Sequence, residues 1–300
     1  MSVRVPGSTS NLGAGFDCVG VAVPRWLRLS AHLGGTGAVR LERGGTLRAL
    51  APGADTDLVY RGFLAACRRA GRAVPERLVL AADSEIPVAR GLGSSAAAIV
   101  AGAAAAAALL ELGIDAPALL AVGSELEGHP DNVAAAVLGG ACLVLSPEAG
   151  GVVATPLAVD GGLAFVLAVP DFTVETKRAR AVLPETLPYA QAVRGVAKSA
   201  ALVQGLACGD PRLLAAALDD VLHVPYRRSL VRGYDAVVGA AREAGAYGAT
   251  LSGSGPTLLA ITPVARAGVV GEAMVRAWAR ASVAAEAFAA DRPTPGYQVE

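Results

Sequence analysis

The sequence predicts a two-part α+β protein, and three observations predict it. The chain has 300 residues, beyond the usual size of one domain. Stretches rich in β-branched residues alternate irregularly with longer stretches of helical periodicity. Between them, residues 148–160 carry Gly150-Gly151 and then return to strand character, so the handover is expected there, dividing residues 1–150 from 151–300.

Strands are expected at residues 19–33, 77–82, 141–145, 163–169, 247–251 and 257–261. Helices are expected at residues 58–70, 95–112, 117–126, 188–206, 211–222, 234–244 and 266–281. No internal repeat appears, and the alanine run at 103–108 reads as helix filler. Mean hydropathy is high at +0.48, and residues 91–110 carry no charge. The apolar part of that run, the 15 residues from Ala96, is mostly alanine. At about 1.5 Å per residue it reaches roughly 22 Å, short of a roughly 30 Å hydrocarbon core. A buried helix of a soluble protein is therefore expected. Met1-Ser2-Val3-Arg4 opens no apolar targeting segment, so a cytoplasmic protein is expected.

Lys plus Arg and Asp plus Glu are both 26, with no basic block, which argues against a nucleic-acid partner. Cys18, Cys67, Cys142 and Cys208 are scattered and lack neighbouring histidines, so reduced thiols are expected rather than a zinc site.

Four segments could carry chemistry. In Pro87-Val88-Ala89-Arg90-Gly91-Leu92-Gly93-Ser94-Ser95-Ala96-Ala97 a glycine-rich loop feeds a long helix. Glycines let backbone approach a phosphate, the first helical N–H groups lack intrahelical partners, and the helix dipole favours an anion. The two serines add hydroxyls for phosphate or Mg²⁺; a tight turn with serine as N-cap is the plain alternative. No G-x-x-x-x-G-K-[ST] is present, so a Walker-type site is excluded. The segment from Pro6 to Asp17 reads as a polar turn in which Asn11 and Asp17 could hold a hydroxyl and an ammonium group. Ser252-Gly253-Ser254-Gly255-Pro256 between two apolar stretches reads as a hairpin loop. Residues 125–132 gather Glu125, Glu127, His129, Asp131 and Asn132 as a helix ends, which suits metal or substrate.

Taken together, P-x-x-x-G-L-G-S-S-A-A at 87–97, N-L-G-x-G-F-D at 11–17 and S-G-S-G-P at 252–256 resemble the three ordered motifs of the GHMP kinases. Within that superfamily, E-G-H-P-D-N-V-A at 127–134, T-K-R-A-R-A-V-L-P at 176–184 and P-Y-R at 225–227 resemble the homoserine kinases. The resemblance implies a GHMP kinase fold, with a ribosomal-protein-S5-like N-terminal half and a ferredoxin-like C-terminal half. It implies ATP across Pro87, Arg90, Gly91, Leu92, Gly93, Ser94, Ser95, Ala96 and Ala97, with Mg²⁺ on Ser95 and Glu125, Glu127 being the reserve. L-homoserine is a zwitterion, so its pocket needs an anion for the ammonium and a forked cation for the carboxylate. By similarity those roles fall to Asp17 and to Arg180 with Arg227, with Asn11 at the hydroxyl and His129, Asn132 and Thr176 lining the same pocket. Asn11, Asn132 and Arg180 are implied nearest the chemistry. Sister kinases carry an acid where this chain has Asn132, which leaves no evident general base, and Asp131 is not expected to serve as one. The first motif departs slightly, reading P-G-S-T-S-N where the family commonly has an alanine. Alternatives are a GHMP kinase of the mevalonate or shikimate type, or a nucleotide-binding regulator of the same fold. The oligomeric state is open, a homodimer among the options.

Overall fold

A computed structural model describes residues 1–34, 39–50, 53–146 and 150–300. The chain opens with an antiparallel pair, β1 (Ser2–Asn11) and β2 (Gly15–Leu33), whose register shifts at Pro6/Gly7 and Ser10/Asn11. Proline supplies no ladder donor, so a bulge at Pro6 is the expected accommodation. The polar segment 6–17, expected as a turn, is therefore strand as far as Asn11, and Ser8, Thr9 and Ser10 are buried. Their hydroxyl groups found partners elsewhere in the chain, which composition does not reveal.

Next come β3 (Val39–Gly45), α1 (Leu58–Arg69) and β4 (Leu78–Ser84), with β3 parallel to β4 and β4 antiparallel to β2. Asp57 caps α1 by accepting from Tyr60 N–H at 2.8 Å. Then follow α2 (Ser94–Leu109), α3 (Ala116–Glu127), α4 (Asp131–Leu138), β5 (Ala141–Leu145) and β6 (Val153–Leu157). β5 pairs with both β2 and β6. Helix α2 lies inside the molecule, buried continuously from Ala96 to Ala106. Among the described residues no helix is long and apolar enough to cross a membrane.

The second half runs β7 (Leu163–Pro170), α5 (Thr176–Ala181), α6 (Tyr189–Cys208), α7 (Pro211–Leu218), α8 (Val224–Arg227), α9 (Tyr234–Glu243), β8 (Gly248–Leu251), β9 (Leu258–Pro263), α10 (Ala267–Arg280), β10 (Ala285–Ala290) and β11 (Gln298–Val299). Its sheet has the order β10-β7-β9-β8. β11 returns to the first sheet and pairs with β1. The sheets thus change over between Leu157 and Leu163, while the 150/151 division falls within the β5–β6 hairpin. Residues 148 and 149 of the expected handover lie outside the described part.

Alternation along β7 and β9 joins the two halves. Phe165, Leu167, Leu259 and Ile261 face a core shared with β1, β2, α2, Leu202 and Leu206. Val166, Ala168, Leu258 and Ala260 face a second core with Val237, Val270, Met274 and Trp278 beneath α9 and α10. A strand buried on both faces reads as continuous apolar sequence, which is how 163–169 presents itself.

Candidate active site

A cavity of about 560 Å³ opens where the loop after β1, the loop before α2, the α3–α4 junction, α5, α8 and the β8–β9 loop converge. At one end, Gly91 and Gly93 hold φ of 72° and 66°, and Gly93 caps α2. Serine is therefore not the N-cap; Ser94 and Ser95 occupy the first turn. Ala97 N–H is the first to bond back, to Gly93 O, so the amides of Ser94, Ser95 and Ala96 point out of the helix end. A Cβ at Gly91 would lie 2.2 Å from Ser252 O, so only glycine permits this loop to press on the β8–β9 hairpin. Ser252 Oγ donates to Thr9 Oγ1 at 2.8 Å, and Gly253 N–H donates to Ser10 O at 3.1 Å. Asn11 Nδ2 donates to Gly253 O at 2.9 Å. Ser8 N–H donates to Leu92 O at 3.0 Å, so the three segments are bonded to one another. Arg90 lines the cavity, but its guanidinium donates to Pro170 O and Asp171 O, tying the loop to the end of β7.

The two glutamates of α3 are placed differently. Ser95 Oγ donates to Glu127 Oε1 at 2.5 Å, and Glu127 lines the cavity; Glu125 is exposed and does not. Two residues along a helix rotate about 200°, so the two carboxylates cannot share a face. Gly128, at φ 82°, ends α3 and turns the chain into α4. His129 Nδ1–H donates to Asp131 Oδ1 at 2.8 Å, with Nε2 3.7 Å from Glu127 Oε1. Burial disfavours the imidazolium, but the bond to Asp131 and the two nearby carboxylates outweigh that and raise its pKa above the usual value. Burial likewise opposes charge on Asp131, yet bonds from His129, Ser10 and the Asn132 N–H hold its carboxyl below the ordinary range. Asn132 is buried: its Oδ1 accepts from Ser8 Oγ at 2.8 Å, and Nδ2 donates to Ser10 Oγ at 3.1 Å.

At the other end, Arg180 of α5 grips Asp17 with two parallel bonds of 2.9 and 3.1 Å. Asp17, at φ 55°, donates its N–H to Asn11 Oδ1 at 2.9 Å, and Asn11 itself sits at φ 72°. Two non-glycine residues in the left-handed region, side by side in a pocket, are backbone strain of the kind stored at functional sites. Arg227 of α8 is buried, donating from Nε to Ala179 O at 2.9 Å and from Nη1 to His223 Nδ1 at 3.2 Å. Burial and then the charge of Arg180 push its pKa down to about 10, leaving it cationic at neutral pH. Both guanidinium carbons lie over the Phe16 ring, at 5.9 Å for Arg180 and 5.0 Å for Arg227. Thr176 Oγ1 is 3.3 Å from Ser254 Oγ on the same wall.

Residues 57–140 match the family described as GHMP kinases N terminal domain, and residues 200–280 match GHMP kinases C terminal. The homoserine kinase of Picosynechococcus sp. is 41% identical over 281 residues, covering 92% of this chain and 91% of that one. The chain belongs to the GHMP kinases, in the homoserine kinase family. Its fold agrees: the homoserine kinase of Cytophaga hutchinsonii superposes with a TM-score of 0.90 at 29% identity, over 99% of this chain and 96% of that chain. The mevalonate kinase of L. major in complex with R-mevalonate, at TM-score 0.71 and 17% identity over 97% of this chain and 96% of that one, shares the fold alone. GHMP kinases are ATP-dependent phosphotransferases.

In this GHMP kinase the cavity gathers Asn11, Asp17, Pro87, Arg90 through Ser95, His129, Asn132, Thr176, Arg180 and Arg227. Ala96 and Ala97 of the expected set are fully buried in the first turn of α2 and do not line it. The sequence reading missed Ser8 and Ser10, which hold Asn132, and the end beyond the glycine loop, where Leu47, Leu50, Leu58 and Val59 flank the buried Arg43–Asp57 pair. An N-cap aspartate before an apolar helix was a visible signal for Asp57; nothing local marked Arg43.

Proposed function

We propose that this chain transfers the γ-phosphoryl group of MgATP to the side-chain hydroxyl of L-homoserine, giving O-phospho-L-homoserine for threonine biosynthesis. One observation carries the reading. A helix N-terminus with an oxygen pair, Ser95 and Glu127, and an acid with two arginines stand in one cavity, so an anionic nucleotide and a zwitterion fit together. The two halves of the kinase meet between Leu157 and Leu163, where the chain passes from one sheet to the other, and the cytoplasm is its compartment, in keeping with four unpaired cysteines.

The triphosphate lies along the amides of Gly93 to Ala96, and the apolar end at Leu47, Leu58 and Val59 takes the base. Among the described residues no three metal-ligating side chains gather, but Mg²⁺ on a nucleotide needs only one or two protein oxygens, and Ser95 Oγ with Glu127 Oε1 suits a hard cation. Such an ion supplies charge neutralisation across the transferring phosphates. Asp17 receives the ammonium, and Arg180 and Arg227 receive the carboxylate, so the substrate enters the existing Asp17–Arg180 pair with matched charges. Asn11 and Thr176 border the hydroxyl. Asn132 is committed to Ser8 and Ser10, and Asp131 Oδ1 accepts from His129 and the Asn132 N–H, which lowers its basicity. Catalysis then rests on positioning and charge, which a loose phosphoryl transition state permits. ADP release measured over homoserine, mevalonate, shikimate and galactose, with Mg²⁺ varied, tests this. Turnover should need homoserine and Mg²⁺, and mevalonate turnover without homoserine turnover rejects the assignment.

A further inference from the structure

The best-buried histidine lies outside the cavity, directly behind Arg227. His223 has no exposed surface, and its ring stacks on Phe16 at 4.8 Å with 18° between planes. Its Nδ1 faces Arg227 Nη1 at 3.2 Å and its Nε2 faces Gly13 O at 3.1 Å. Guanidinium only donates and a carbonyl only accepts, so the tautomer is settled: Nδ1 carries the lone pair and Nε2 the proton. Asp220 holds the surrounding chain rigid, accepting from the N–H groups of Leu222 at 2.9 Å, His223 at 2.7 Å and Val224 at 2.7 Å. Its Oδ2 is 3.7 Å from His223 Nε2, which favours the proton on that nitrogen. Burial, with the charge of Arg227 adding to it, pushes the imidazole pKa down to about 4, so the ring is neutral at pH 7.

We propose that His223 is a positioning residue for substrate recognition, a neutral Nε2–H imidazole that aims Arg227 at the carboxylate and registers it against the loop bearing Asp17. With Nε on Ala179 O and Nη1 on His223, Arg227 Nη2 makes no protein hydrogen bond among the described residues and is left for a ligand. Through Gly13 O the same ring fixes the turn between Asn11 and Asp17, so one side chain sets the spacing between the cation and the anion that a zwitterion must bridge. An imidazole with one lone pair suits both contacts; a protonated ring would meet Arg227 as a second cation.

This inference rests on the amino-acid pocket proposed above, and paired variants separate the two. His223→Gln keeps a donor near Gly13 O and loses the acceptor for Arg227, while His223→Asn keeps an acceptor near the Nδ1 position and loses the Gly13 contact. A bond to a charged group is at stake, so His223→Gln should raise the KM for homoserine about tenfold or more, with kcat and the KM for ATP nearly unchanged. His223→Asn should raise it less than about threefold. Homoserinol, which lacks the carboxylate but keeps the ammonium, should not respond to His223→Gln. Equal KM increases in the two variants, or equal losses on homoserine and homoserinol, overturn the proposal. Arg227→Ala measured in parallel tests the pocket itself: loss on both substrates alike rejects the pocket, whereas discrimination by Arg227→Ala without discrimination by His223→Gln rejects only the role of His223. Imidazole ¹⁵N spectra of the parent enzyme read the tautomer without any substitution, His223 being one of three histidines. A neutral Nε2–H ring whose Nδ1 signal moves on adding homoserine but not ATP is expected, and an Nδ1–H ring or an imidazolium at pH 7 overturns it.

Discussion

The two ends of the cavity are built by opposite means. The proposed phosphate end is contiguous backbone: residues 87–97, two glycines at positive φ and the open end of α2. The proposed amino-acid end is assembled from the side chains of Asp17, His129, Thr176, Arg180 and Arg227, which four separate segments deliver. The first end should therefore be intolerant of added atoms and indifferent to most side chains, and the second intolerant of altered charge.

Adding an atom to the backbone end should have the largest effect. In Gly91→Ala the new Cβ meets Ser252 O at 2.2 Å and Gly255 O at 2.9 Å, at a φ unsuited to alanine. A loss of about 3 kcal/mol or more is expected, seen in calorimetry as a drop of roughly 6–12 °C, together with loss of ATP turnover. A parent-like melting curve with a normal KM for ATP would break the contrast.

Removing charge from the other end comes next. Arg227→Ala should lower kcat/KM for homoserine about a hundredfold with little change in melting temperature relative to that of Gly91→Ala. Under the proposed carboxylate clamp of Arg180 and Arg227, the double variant should lose less than the product of the single losses. Additive losses in steady-state kinetics would show that they serve different groups.

A smaller effect sharpens the boundary between the ends. Glu127→Gln should reduce kcat/KM for MgATP roughly ten- to a hundredfold and shift the Mg²⁺ titration upward, while Glu125→Gln stays within about twofold. The reverse ranking would return the metal to Glu125.

The smallest effect concerns pH. His223 is neutral and buried with a pKa of about 4, facing Asp220, Arg227 and Asp17. Its unfolded counterpart binds more protons as pH falls below about 6.5, so this contribution to stability is full above that value and lost toward pH 4, at about 1 kcal/mol per unit between pH 6 and 5. His129, whose pKa is raised, acts in the other sense, contributing stability at low pH that is lost as pH rises. The difference between the parent and His223→Asn in denaturant titrations isolates the first: the parent should lose more between pH 6 and 5. Parallel curves would show that the ring is not a buried neutral base.

Where geometry is local, the amino-acid sequence was enough. The glycine loop opening α2, the buried alanine helix and the β8–β9 hairpin follow from neighbouring residues, because φ/ψ preference and free helix-end amides are properties of a few consecutive positions. The resemblance to the homoserine kinases also pointed to Asp17, Arg180 and Arg227, which line the cavity. Direction, partnership and burial depended on the whole chain. Ser8, Thr9 and Ser10 read as a turn, yet they form the end of β1, since their hydroxyls meet Asn132 and Ser252 from far along the chain. α4, α5, α8 and the edge strands β3, β10 and β11 are short and had too few periodic positions to register. Glu127 and Glu125 stand on one helix, and only its rotation against Ser95 separates them. Likewise nothing near residue 223 announces a neutral histidine behind an arginine. Its tautomer follows from Arg227 on one side and Gly13, 210 residues away, on the other, and those partners meet only when the chain has packed.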